Sequence, residues 1–153
     1  MKALKVEMVD IQPMSSKEAY EKGYPVLVTW TKEDIPGYIV KSRTHPVGEW
    51  VFKGDIQDLM YVLSEQNDGT KILKEDVENF ITDVDVMTVG DKTTIVNAHT
   101  LTGFDTVRHS SCVDPKNYSE ELGKKYAMEE VINDLWSHLG FVLQWAKFGL
   151  KRK

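Results

Sequence analysis

The stretch Val84–His109, VDVMTVGDKTTIVNAHTLTGFDTVRH, decides the fold. Apolar and β-branched residues recur at alternate positions in three short runs, interrupted at Gly90-Asp91 and again at Thr102-Gly103. Alternation is the period of a strand, and a glycine-bearing pair between two such runs reads as a hairpin turn. The expectation is a three-stranded antiparallel meander with two-residue turns. Val89 then stands opposite Lys92, and Leu101 opposite Phe104. Directly opposed residues share a face. One side therefore carries Val84, Val86, Ile95, Leu101 and Phe104, and the other Met87, Val89, Val96, Ala98 and Val107. Both sides are substantially apolar, whereas a sheet wetted on one side alternates apolar with polar. Cover is expected on both: a C-terminal helix on one side, and the N-terminal segment or a second copy of the chain on the other.

Upstream of the meander, Leu73, Val77, Phe80 and Ile81 fall on one face of a short helix. Downstream, a long amphipathic helix is predicted from Asn117, with Glu120 completing a capping box and Pro115 just before it. Its stripe runs Leu122, Tyr126, Val131, Leu135, Leu139, Val142 and Ala146, and Gly140 is a point where it could bend or break. Turn-forming residues from Ser64 to Thr70 mark a boundary, which divides the chain into residues 1–64 and 71–150. The first segment reads as a small α+β unit. Its predicted strands are Leu4–Val9, Pro25–Trp30, Gly37–Val40 and Glu49–Phe52. Ser15 caps a short helix with Glu18 at capping-box spacing, and Asp55 opens another bearing Ile56, Leu59, Met60 and Leu63. The fold class is α+β, with the second segment a helix–meander–helix unit.

Composition sets the outer bounds. The chain has 153 residues, 41% hydrophobic and 28% charged, inside the globular range. Cys112 is the single cysteine, so no disulfide forms within one chain. No apolar run approaches the roughly 20 residues of a spanning helix, and Met1–Asp10 lacks a signal-peptide core. A cytosolic protein is expected, within the host cell once the resemblance given below is taken into account. The net charge is −5. Eight acids lie between Glu65 and Asp91 against Lys71 and Lys74, and the basic excess is confined to the C-terminal end. A nucleic-acid binder usually carries a broad basic surface, so direct nucleic-acid binding is disfavoured.

The chemistry-bearing residues do not converge in this reading. His99 pairs with Thr106 and His109 with Val96, which points the two rings to opposite faces and removes them as joint metal ligands. His45 falls in a loop, and His138 on the long helix. Cys112 precedes a helix N-terminus, where a thiol pKa can fall, but reads more simply as a small structural residue. Asp83 and Asp85, with Asp76 and Glu78, read as solvated acids without the spacing of a calcium loop. Phosphate-binding glycine motifs and a serine elbow are missing. No catalytic residue, metal ligand or cofactor is assigned, and a non-enzymatic role is expected.

The functional signal is apolar excess near the C-terminus. Trp136, Leu139, Phe141, Val142, Trp145 and Phe148 occupy almost every side of one helical stretch, and exposed aromatic anchors mark interfaces. Binding of a protein partner and homo-oligomerisation are both expected from it. An alternative is a small-molecule, nucleotide-like sequestering protein, with Ser110, Ser111, Lys124 and Lys125 holding an anion near a helix N-terminus. A third is an acidic nucleic-acid mimic built on the Glu65–Asp91 run.

The second segment also resembles a known family. Lys74-Glu75-Asp76-Val77-Glu78-Asn79-Phe80-Ile81, Thr93-Thr94-Ile95-Val96 and Leu101-Thr102-Gly103-Phe104 occur in order. Ser111-Cys112-Val113-Asp114-Pro115-Lys116-Asn117-Tyr118, Gly123-Lys124-Lys125-Tyr126-Ala127, Trp136 and Leu143 follow. Together they are similar to the tailed-phage gene-product forty-nine or gene sixty-six family over roughly residues 71–146. The resemblance implies a phage gene product outside the virion's main structural proteins, and it carries over no catalytic residue. With the absent catalytic constellation, the two-sided sheet and the aromatic C-terminal helix, the expectation is a non-enzymatic phage accessory protein that binds and modulates a host or defence macromolecule during infection.

Overall fold

The computed structural model describes residues 1–27 and 32–151. The chain separates into two compact units, Met1–Val62 with Gln144–Lys153, and Leu63–Leu143. The division falls at Val62/Leu63, and residues 144–150 group with the first unit instead of the second. Both units carry a three-stranded antiparallel sheet, and the fold is α+β.

In the first unit, β1 (Val9–Pro13), β2 (Gly37–Ser42) and β3 (Glu49–Phe52) pair in that order. The expected strand at Leu4–Val9 lies further along, where Ile11 pairs with Val40. The segment before it is used for side-chain contacts. Glu7 accepts from the Thr44 N–H at 2.8 Å and from its hydroxyl at 2.7 Å, with Lys5 Nζ 2.6 Å away. Lys5, then Thr44, pull the Glu7 carboxyl down to about 2. Helix α1 (Ser16–Glu21) starts at Ser15, whose Oγ accepts from the Glu18 N–H, while the Glu18 carboxylate takes Lys22 instead of reaching back. A 3₁₀ turn (Lys53–Asp55) leads into α2 (Ile56–Leu59), which stops before Met60 and Leu63 can join its stripe. Pro25–Leu27 have no regular structure, and the rest of the strand expected there lies outside the described residues.

The core of this unit is Met14, Ala19, Ile39 and Trp50, with Tyr24, Val26, Ile35 and Phe52 against it. Trp50 Nε1 donates to the Met14 carbonyl at 2.9 Å, which satisfies the indole inside the core. Its ring lies flush on Gly37, where a Cβ would fall 2.6 Å from Nε1 and nearer still to the ring carbons. Gly37→Ala is therefore expected to cost about 1–3 kcal/mol through overpacking. Urea unfolding followed by Trp fluorescence checks this.

In the second unit, α3 (Lys74–Phe80) runs into β4 (Ile81–Val89), β5 (Thr93–Thr100) and β6 (Thr106–Ser111). Ile81 belongs to the strand and not to the helix. The meander is as the alternation implies, but both turns are longer than expected. Val89 pairs with Thr93 across a three-residue loop, with Gly90 at φ 65°. Ala98 pairs with Thr106, and the intervening turn has Gly103 at φ 76° and its N–H on the Thr100 carbonyl. Glycine satisfies a left-handed φ in loops of either length, so its presence did not settle the count. Each register moves by one residue, which turns every β5 side chain to the opposite face.

The corrected faces separate cleanly. Val84, Val86, Val96, Ala98 and Thr106 share one side, and the β5 residues Thr94, Val96, Ala98 and Thr100 are all buried. The other side carries Asp83, Asp85, Met87, Val89, Ile95, Asn97, His99, Val107 and His109. Met87, Val89 and Val107 are about half exposed there. That side is mixed polar and apolar, which a sheet tolerates in water. The need for cover on both sides followed from the shifted register and falls with it, so self-association no longer draws support from the sheet. His99 and His109 also share a side, contrary to the expectation. Four strand positions still separate His99 from Ile95, the partner of His109.

Candidate functional site

Helix α4 (Glu120–Phe148) covers the apolar side of the meander. A 3₁₀ turn at Pro115–Asn117, capped by the Asp114 side chain, precedes it. Ser119, not Asn117, caps α4: its Oγ accepts from the Leu122 N–H at 3.3 Å. The helix passes Gly140 without a break and ends before Gly149 at φ 67°. Its buried residues within the second unit are Gly123, Ala127, Val131, Leu135, Leu139 and Leu143, each four apart. Leu122, Tyr126 and Val142, expected in the stripe, are about half exposed.

The small residues at the start of that stripe let the helix approach the sheet. A Cβ on Gly123 would fall 2.7 Å from Thr94 Cβ and closer to its Oγ1. Thr94 is fully buried and hydrogen-bonds Tyr118 Oη at 2.9 Å. Tyr118 in turn meets Thr88 Oγ1 at 2.7 Å, which donates to Glu120 at 2.6 Å. Further along, Arg108 on β6 pairs with Asp134 on α4. These contacts set the angle at which α4 crosses the strands, and hence the gap left at its far end.

That gap is an apolar cleft of about 290 Å³ between α4 and the β5–β6 turn. Leu135, Leu139 and Phe80 form its floor, and Phe104, Val142 and His138 its rim. Thr100 and Thr102 complete the wall on the turn side. Phe104 is 63% exposed and meets His138 edge-on, with ring centroids 6.3 Å apart. Thr100 Oγ1 donates to the Phe104 carbonyl at 2.6 Å and ties the turn to the end of β5.

The six aromatic and aliphatic residues expected to form an interface do not form one patch. Val142 is on the cleft rim. Leu139 is buried and belongs to the core, as the cleft floor. Phe141 is 68% exposed on the side of the helix opposite Leu139, and Trp136 is partly exposed. Trp145 and Phe148 lie among the residues that group with the first unit. The stretch is therefore not buried on all sides. Phe104, Phe80 and His138 were not singled out as site residues, because their convergence depends on a turn meeting a helix more than thirty residues away.

Ser110 and Ser111 border a second cavity, of about 230 Å³, with Lys92, Cys112, Ser119 and Tyr126. Lys124 and Lys125 are exposed on α4 and do not line it. Glu120 and Glu121 occupy the first helical turn, where a bound anion would otherwise gain from the dipole. Cys112 Sγ donates to the Asp114 carbonyl at 3.2 Å. Among the described residues no group of three or more His, Cys, Asp or Glu is placed to hold a metal ion. No described helix is long and apolar enough to cross a membrane.

The acidic run contains one residue that is not solvated. Asp76 is fully buried. Its carboxylate accepts from the Ser64 N–H at 2.7 Å, the Leu73 N–H at 2.8 Å and the Asn67 side-chain amide. Burial alone would raise its pKa, but these donors together hold it below the usual carboxylate range. Asp85 is also committed, to His99. The mimic reading loses two of its eight charges.

Helix, meander and long covering helix, with an apolar cleft at one end, make up the second unit as an α+β fold. Residues 72–146 match the model of the family described as Phage protein (N4 Gp49/phage Sf6 gene 66), and over this segment the chain is similar to that family. The match begins just before α3 and ends within the last turn of α4, so it takes in every element that shapes the cleft. No curated protein and no solved structure matches the chain.

Proposed function

We propose that this phage-encoded protein works by contact, without a reaction of its own, and seats an apolar side chain of a host or defence macromolecule in the cleft between α4 and the β5–β6 turn. The observation that carries this reading is the cleft itself. Its floor is continuous with the core, its rim holds the half-exposed Val142 and the largely exposed Phe104, and its lining is almost wholly apolar. Water gains little in such a cleft, and a partner side chain that displaces it gains about 25 cal/mol per Å² buried. Hot spots are enriched in fully desolvated pockets of this kind.

Val142→Asp places a charge on the rim of this cleft without entering the core, so folding should be retained. It is expected to abolish co-purification of a partner from infected cells in gentle salt, with the thermal midpoint little changed. Retention of the same partner by the folded variant would contradict the reading.

A second reading has the cavity beside Ser110 and Ser111 in its favour, with Lys92 as the cation in place of Lys124 and Lys125. A small nucleotide-like ligand held there at 100 times its dissociation constant would add about 2.7 kcal/mol of stability. A thermal-shift panel with wild-type protein separates the two, since a flat response removes this option.

A further inference from the structure

The open side of the meander carries one ring bound at both nitrogens. His99 Nε2 lies 2.9 Å from Asp85 Oδ2 on β4, and His99 Nδ1 lies 2.8 Å from Asp105 Oδ1 in the β5–β6 turn. An ionised carboxylate only accepts hydrogen bonds, so each ring nitrogen must donate. Only the imidazolium form has two N–H groups. The other charges facing the ring point the same way. Asp83 stands opposite His99 in the register of β4. From β6 the neighbour on this side is the uncharged Val107, and α4 packs on the other side, where Arg108 meets Asp134 and His138 meets Phe104.

Asp105 directly follows Phe104. The turn that His99 grips on the open side is thus the turn whose Thr102 and Phe104 wall the cleft on the covered side. The turn is also tied by the Gly103 N–H on the Thr100 carbonyl at 2.8 Å, the Leu101 N–H on the Phe80 carbonyl at 3.0 Å, Thr100 Oγ1 on the Phe104 carbonyl, and the Thr102 hydroxyl with Thr100 Oγ1 and the Phe104 N–H.

We propose that His99 is a pH-sensitive clasp, which in its imidazolium form fastens the β5–β6 turn to β4 and on deprotonation releases Asp105 and loosens the cleft wall. When the ring gives one proton to solvent, one nitrogen presents a lone pair to a carboxylate, and attraction becomes repulsion on that side. The hydrogen bonds that the ring donates to Asp85, then Asp105, raise its pKa above the ordinary value, against a smaller opposing effect of desolvation. A raised pKa means that the clasp is complete below the ordinary imidazole value of about 6.5. It is lost as pH rises through the folded-state value. The consequence for binding rests on the cleft being the docking site, but the clasp itself does not.

The test is nitrogen-detected NMR of the His99 ring in the full chain, with hydrogen exchange of the Gly103 and Phe104 amides over the same pH range. The expected result is a ring protonated on both nitrogens at pH 6.5 that titrates above a free imidazole, and Asp105→Asn should lower that value. Protection of the two amides should fall several-fold across the titration in wild type, and show no such step in His99→Gln. A neutral single-tautomer ring at pH 6.5, or the same amide step in His99→Gln, would overturn the proposal. The expected titration without a partner at the cleft would support the clasp and count against the interaction reading. An ordinary titration with partner binding intact would overturn the clasp alone.

Discussion

Gly123→Ala is expected to destabilise the second unit by about 1–2 kcal/mol net, although alanine is the better helix former. Replacing a mid-helix glycine normally gains about 1 kcal/mol from propensity. Here the added methyl would occupy the space of the Thr94 side chain, which is fully buried and fixed by its hydrogen bond to Tyr118. Neither the strand nor the helix can retreat without opening the stripe that continues through Ala127 and Val131. Overpacking of this kind costs about 1–3 kcal/mol, and more where the backbone must shift. The strain therefore outweighs the propensity. Chemical unfolding of Gly123→Ala, Thr94→Ala and the double variant checks the origin of the loss. The double variant should recover a large part of it, because residues in contact couple and distant ones add. Simple additivity would place the cost elsewhere.

Asp76→Ala is expected to cost about 3–5 kcal/mol, a large share of the 5–15 kcal/mol that holds an ordinary domain. The carboxylate collects the backbone N–H groups of Ser64 and Leu73 and the Asn67 amide, and so closes the loop that enters α3. Hydrogen bonds to a charged group contribute about 1.5–3 kcal/mol each, and an orphaned buried donor costs about 1–3 kcal/mol. Asp76→Asn keeps the shape but turns an amide N–H₂ toward one set of donors, so it should rescue only part of the loss. The folded-state pKa is lowered. This contribution is therefore complete above the ordinary carboxylate value of about 4. It is lost as pH falls through the folded value. Urea midpoints of wild type and Asp76→Ala should converge below that point, and a constant difference down to strong acid would contradict the assignment.

Much of the fold can be read along the chain, because strand alternation and helix caps are local. The meander follows from residues 84–109, and Ser15 caps α1 as its spacing implies. What failed was decided by distance and not by pattern. Gly90 and Gly103 mark both turns, yet a glycine suits loops of two residues or more, and one extra residue in each exchanged Ile95 with Val96. Leu122 and Tyr126 look like stripe positions by hydrophobicity. Gly123 and Ala127 take those places because close approach selects small side chains. Asp76 resembles its solvated neighbours until the Ser64–Leu73 loop is seen wrapped around it. The cleft is the least legible feature. Val142 and Leu139 stand out as apolar helix residues, but Phe104 and Phe80 join them only once the chain has folded back on itself.

Docking through the α4/β5–β6 cleft is tested most directly by a photo-activated cross-linking side chain at Val142, compared with the same group at Lys124 on the exposed start of α4. In infected cells the Val142 position should give one discrete adduct with a partner macromolecule, and the Lys124 position none. No adduct at Val142, or equal yields at both positions, would show that this protein does not act through the cleft.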